Sequence, residues 1–341
     1  MTRDKSGPIV RTATPDASLR ATIVSRRPLH YSQDADATLD RPAHVRAASS
    51  LAWIGDRIAV IQDDANFIAM IRPDDANVHA IALPAGEGGL RQFDEHRGNK
   101  QFKLDLEACV SMDTVDGPQL LAFGSGSTAR RRHVAQVDAF HEPALRIVVH
   151  DAATWYDALE AETSFAGSDM NIEGALRDGD VLRLFGRGNG KARRGLMPQN
   201  ATCDVEMGAL LHYLADPTAR NPPAPVDVVR YMLGAIDDVS LGFTDAALHG
   251  AHVLYSAAAE ASKDSTRDGT IAGSAIGVIA PSGHVRYAQL TDDYGRTLVD
   301  KVEGLVLSPR TPTRAYVVVD PDDAARPSEL CEVELGGSWF E

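Results

Sequence analysis

The sequence predicts an all-β fold: a β-propeller of five blades, with six as the alternative, closed by an N-terminal strand that completes the last blade. Three observations carry this. A strand-turn-strand unit recurs five times, helical periodicity is poor nearly everywhere, and the last unit ends one strand short while an unassigned strand stands near the N-terminus. Four short strands per unit, rich in Val, Ile and aromatics and bounded by Gly, Pro, Asp and Asn, are the sequence form of a propeller blade.

The five units open at Ser49–Trp53, Asp105–Val110, Asn171–Leu176, Phe243–Leu248 and Lys301–Val306. Each is followed by a turn and a dense apolar strand: Asp56–Ile61, Gln119–Phe123, Asp180–Phe185, His252–Tyr255 and Ala315–Val319. With Ser50, Glu107, Glu173, Asp245 and Glu303 taken as equivalent, the spacings are 57, 66, 72 and 58 residues. Outer strands follow at Phe67–Ile71, Val78–Leu83, His133–Val137, Leu145–His150, Asp227–Leu233, Ala275–Ala280, His284–Leu290 and Glu329–Leu335. Leu19–Pro28 supplies the strand missing from the last unit, which removes an exposed sheet edge. The blades then span about 49–100, 104–150, 170–235, 241–292, and 301–341 with 15–30, in one domain of 341 residues. A sixth blade would have to come from residues 30–48. Helices are expected only at Ala152–Thr163 and Val205–Leu214.

In a propeller the first strand of each blade lines the central channel. Glu107, Glu173, Asp245 and Glu303 therefore converge, with Ser50, on one axis. Four carboxylates in a narrow channel repel one another unless a cation, arginines or bound protons compensate. Oxygen-only donors favour Ca²⁺, or Mg²⁺, over zinc, so these four are the candidate metal ligands. The competing reading is that each carboxylate accepts backbone N–H groups of the neighbouring unit. The turns after the second strands, 62–66, 124–128, 186–190, 256–260 and 320–323, should ring the channel mouth. They bring Glu260 as a candidate general base, and Arg131 and Arg187 as candidates for stabilising an anion. Cys109, two residues after Glu107, falls on the channel side by the period of two.

Composition narrows the functions. Lys plus Arg is 34 and Asp plus Glu is 48, a formal charge of −14. Such a surface repels phosphate backbones, which argues against nucleic acid as a partner. The three cysteines make no disulfide framework. No secretory h-region stands at the start, and no run approaches the ~20 apolar residues of a membrane span, so a cytoplasmic location with no membrane partner is expected. Gly186–Lys191 looks like a phosphate loop but is one residue short and lacks the Ser or Thr after its lysine. No Gly-x-Ser-x-Gly elbow is present.

The segments Leu104–Cys109, Asn171–Ala175 and Lys301–Leu305 resemble the Glu-Gly first-strand motifs of the phytase-like and SdiA-regulated bacterial β-propellers. Gly124–Ser127, Phe185–Gly190 and Ala258–Glu260 are similar to segments of an uncharacterised branch of that group. The resemblance implies a propeller with calcium or another divalent ion near its axis. The −14 charge does not fit phytate as substrate. The expected function is hydrolysis of a small ester, lactone or phosphoester at the central channel; the alternative is a non-catalytic propeller that binds a small-molecule ligand or a protein around a structural metal.

Overall fold

The computed structural model describes residues 8–138, 140, 145–261 and 269–341. Two strands open the chain, β1 (Ile9–Pro15) and β2 (Arg20–Pro28). The first antiparallel meander follows: β3 (Ala48–Ile54), β4 (Arg57–Gln62), β5 (Phe67–Ile71) and β6 (Val78–Ala82). The second is β7 (Leu106–Thr114), β8 (Gly117–Gly124), β9 (His133–Asp138) and β10 (Arg146–Asp151). Helices α1 (Ala153–Ala161) and α2 (Thr163–Ala166) lead to β11 (Ile172–Asp178), β12 (Val181–Gly186) and β13 (Asn200–Glu206). Helix α3 (Met207–Leu214) precedes β14 (Val226–Met232), which closes the third meander.

A two-residue β15 (Ala235–Ile236) pairs with β16 (Val239–His249), and β17 (His252–Ala261), β18 (Thr270–Ile279) and β19 (Val285–Thr291) complete the fourth meander. Last come β20 (Lys301–Leu307), β21 (Arg314–Asp320) and β22 (Glu329–Gly336).

β2 pairs antiparallel with β22, from Arg20 opposite Gly336 to Pro28 opposite Glu329, and gives the last three strands their fourth. Residues 30–48 carry only isolated bridges, His30 to His44 and Asp36 to Arg41, beside the start of β3. Three strands had no counterpart in the sequence reading: β13, the two-residue β15 and β1. β1 runs parallel to both β14 and β19, and so ties the outer edges of the third and fourth meanders together. Its partners lie more than 200 residues away in the chain, so no local pattern announces it.

The meanders stand in a closed cycle, since β3, β7, β11, β16 and β20 each neighbour the next and β20 returns to β3. Five apolar clusters fill the wedges between successive meanders. Ile61 and Leu120 meet between the first two, Leu176 and Phe243 between the third and fourth, Leu254 and Val317 between the fourth and fifth, and Val318 and Leu51 where the ring closes. Between the second and third, the helices insert Trp155, Tyr156, Phe165 and Tyr213, all buried. Each such side chain removed from water contributes ~1.5–3 kcal/mol, so the wedges hold the ring. The architecture is all-β and propeller-like.

All five first strands carry a β-bulge near their starts. The register shifts at Ala48/Ser50, Leu106/Ala108, Ile172/Gly174, Phe243/Asp245 and Val302/Leu305. The bulge therefore falls on Ser49, Glu107, Glu173, Thr244 and Glu303. This corrects the equivalence read from the sequence, in which Ser50 and Asp245 stood with the glutamates. Both belong one residue further along, with Ala108, Gly174 and Gly304. A slip of one residue turns a strand side chain to the other side, and the two sets separate accordingly.

Candidate functional site

The second set closes the axis. Asp245 is 1% exposed and is not on the wall of the cavity at the centre of the ring. Its Oδ2 accepts from Ser50 Oγ at 2.9 Å and from the Leu305 amide at 2.9 Å, and its Oδ1 accepts from the Ala246 amide at 2.8 Å. Burial pushes its pKa well above the ordinary value, against the pull of these donors. The small residues at the equivalent positions make room. A Cβ on Gly174 would lie 2.9 Å from Asp245 Cα, and one on Gly304 would lie 2.8 Å from Leu51 Cγ. Asp245 thus follows the competing reading, a carboxylate satisfied by neighbouring strands. Cys109 is likewise 3% exposed, packed between the first two meanders with its amide on Ser50 Oγ at 3.2 Å, because the bulge at Glu107 breaks the period of two.

The first set opens on a cavity of about 710 Å³. Glu107 and Glu173 line it. Glu303 does not, and stands behind Lys301, whose Nζ lies 2.6 Å from Glu303 Oε1. In four of the five units the residue two before the bulge also reaches the cavity: Ala47, Asp105, Asn171 and Lys301. The segments after the second strands contribute Asp63 and Asp64, Arg131, Arg187 and Asn189, and Asp322 with Asp323, while Asp320 ends β21 and Glu260 lies within β17, which runs on through the turn expected at 256–260. Of the other basic residues near these turns, Arg130 lies over the Phe102 ring, Arg132 pairs with Asp157 and Glu160, and Arg193 pairs with Asp169.

The wall carries eleven carboxylates against five Lys and Arg side chains. Four of these cations are held in ion pairs. Lys103, 5% exposed in its side chain, places Nζ 2.6 Å from both Asp63 and Asp105. Arg131 reaches Asp105 at 3.0 Å. Arg187 lies between Glu260 at 2.7 Å and Glu173 at 3.4 Å, and Glu260 also accepts the Gly269 amide at 2.6 Å. Asn171 donates to Glu173 at 2.5 Å. Glu107 makes no hydrogen bond or salt bridge among the described residues. Burial, then the charges of Asp63, Asp105 and Glu173, hold it well above the usual carboxylate range. Burial likewise raises Asp320 and lifts Glu303 to about 8.

Oxygen atoms of Asp63, Asp105 and Glu107 lie within 4.8 Å of one another, a set that could receive a metal ion. Of the four expected ligands only Glu107 belongs to it. Asp63 and Asp105 escaped the sequence reading, although Asp63 sits in a turn expected at the mouth and Asp105 is two residues before Glu107. Lys103 is the counter-ion of this group. Lys103→Met should lower stability by about 3 kcal/mol in cation-free buffer, because it leaves buried carboxylates facing one another. Added calcium should restore part of the loss in a melting experiment; an unchanged melting temperature would mean that the ammonium is not needed there.

Fold and cavity define the class: a propeller-like all-β protein with an acidic cavity at the centre of its ring. The chain belongs to a family of unknown function (DUF6929), whose model matches residues 44–335; the match does not point to the phytase-like or SdiA-regulated group. No curated protein matches the sequence. Among solved structures, glutaminyl cyclase of Myxococcus xanthus is 10% identical, with 97% of this chain and 99% of that one covered and a TM-score of 0.45. A glycosyl hydrolase from Bacteroides ovatus is 9% identical over 90% of each chain at 0.46. The arabinanase Arb43A of Bacillus subtilis is 10% identical over 85% and 94% at 0.40. Likeness this distant says nothing of the chemistry here. No helix among the described residues is long and apolar enough to cross a membrane.

Proposed function

We propose that the five meanders act as the blades of a single-domain propeller whose central cavity binds a small polar ligand beside a divalent cation. The cation, calcium before magnesium, would be held by Asp63, Asp105 and Glu107. The observation that carries this reading is the approach of their oxygens to within 4.8 Å on the wall of a 710 Å³ cavity, a volume suited to a small molecule. The reaction such a site would carry is hydrolysis of a small ester or lactone, in which a bound divalent ion polarises the scissile carbonyl.

The chain's own residues would do the rest. Arg187 fixes Glu260 at the mouth, where its carboxylate can accept a proton from water. Asn171 and Asn189 offer neutral hydrogen-bonding groups on the same wall. Arg131 and Arg187 are held by carboxylates, so the anion-stabilising role expected of them, and with it the phosphoester, is set aside.

The test is thermal unfolding of the chelated protein, followed by calcium. Calcium should raise the melting temperature by several degrees at saturating concentration. Glu107→Gln should melt higher than wild type in chelator, since it removes a carboxyl whose ionisation burial and its acidic neighbours oppose, and should lose most of the calcium response. A melting temperature indifferent to both chelator and calcium would sink the cation site.

A further inference from the structure

The cavity wall is unusual for a small-molecule site, which is ordinarily apolar with a few polar anchors. Among the described residues that line it, none is aromatic apart from His96, and the only aliphatic ones are Ala47 and Ala324. An apolar or flat aromatic ligand would therefore find nothing to pack against. An anionic ligand fares no better. Lys103, Arg131, Arg187 and Lys301 each already hold a carboxylate at 2.6–3.4 Å, and Lys100 is engaged as well. Eleven carboxylates against five cations leave a formal excess of six negative charges, and a divalent ion would cancel two.

The wall also shows which group it accommodates. Two of its own side chains, Lys103 and Lys301, present primary ammonium groups that are almost fully withdrawn from water. Lys103 Nζ touches two carboxylates at 2.6 Å and Lys301 Nζ touches one at 2.6 Å. A compact ammonium with three donors, ringed by carboxylate oxygens, is the geometry that withdraws this charge from water. Glu107 is a carboxylate on the same wall that no described cation pairs with.

We infer that the ligand of this cavity is a small, wholly polar molecule bearing at least one primary ammonium group, recognised by Glu107 and the carboxylates beside it, and that phosphate-bearing and aromatic molecules are excluded. The inference rests on the reading of the cavity as the binding site, and does not require the divalent ion or the hydrolysis.

Binding to the full chain is measured by melting temperature and by calorimetric titration, with 1,4-diaminobutane, inorganic phosphate, glycerol and calcium as separate probes at fixed ionic strength. The diamine should raise the melting temperature by several degrees and bind with about one-to-one stoichiometry, while phosphate and glycerol leave it unmoved. Glu107→Gln should weaken the diamine at least tenfold. Glu334→Gln, on the exposed face of β22, should leave its affinity unchanged, which separates cavity binding from attraction to an acidic surface. A calcium response without a diamine response overturns the ammonium inference and leaves the cation site standing. A phosphate response, or equal diamine binding by wild type and Glu107→Gln, also overturns it. Diamine binding without calcium binding supports the inference and removes the divalent ion from the proposed function.

Discussion

Asp245→Ala should lower the stability of the protein by about 4 kcal/mol or more, the largest single effect expected outside the apolar wedges. The substitution strips acceptors from the Ser50 hydroxyl and from the amides of Leu305 and Ala246 at the centre of the ring. Each buried donor left without a partner costs ~1–3 kcal/mol, and the vacated space beside Gly174 adds a cavity term. For a chain this long a kilocalorie corresponds to roughly 1–2 °C, so the melting temperature should fall by about 5 °C. The measurement also decides between two roles. If Asp245→Ala melts like wild type yet loses a calcium response, the carboxylate is a metal ligand, as its place in the repeat suggested. If it unfolds early and whatever folds still responds, Asp245 is a strut.

That ambiguity shows where the sequence stops being legible. The repeat itself was readable, because five apolar second strands follow five openings at near-regular intervals, and the N-terminal strand Leu19–Pro28 pairs as β2 with β22 as anticipated. The helices were also visible, but Val205–Leu214 ran two residues into β13. That strand, Asn200–Glu206, is half polar and packs Thr202 and Asp204 in the sheet, so it carries no strand signal. The site was half readable. Glu107 and Glu173 follow directly from their openings, and Glu303 is on the right side of its strand but screened by Lys301. Ser50 and Asp245 went wrong by one position each because a β-bulge has no letter of its own, and Ser49 and Thr244, the true counterparts of the glutamates, look like ordinary strand residues. Asp63 and Asp105 meet only when the first and second meanders are side by side.

Stability should fall, rather than rise, as pH is raised from about 5 to about 8 in the presence of chelator. Burial holds the Glu303 carboxyl at about 8 in the folded protein, with Lys301 only partly offsetting it. In the unfolded chain the same group titrates near its ordinary value, about 4.3. Below that value both states are protonated and folding bears no penalty. Between the two values the unfolded state releases its proton while the folded state keeps it, so each unit of pH weakens folding by up to ~1.4 kcal/mol. Glu173, also raised by burial, acts in the same direction. His44 and His150, both lowered by burial, oppose it over the lower part of the window. The exposed carboxylates of Asp16, Asp36 and Asp216, held low by their hydrogen bonds, weaken folding only in more acid solution. The comparison that isolates this carboxyl is therefore wild type against Glu303→Gln, which keeps an acceptor for Lys301 but has nothing to titrate. Melting curves at half-unit intervals should show wild type losing several degrees between pH 5 and 8 and the variant losing distinctly less. Parallel profiles would mean that the axial glutamates are already ionised in the folded chain. Their charge would then add to the excess of carboxylates over lysines and arginines around the cavity, and the call for a cation from solution would be greater.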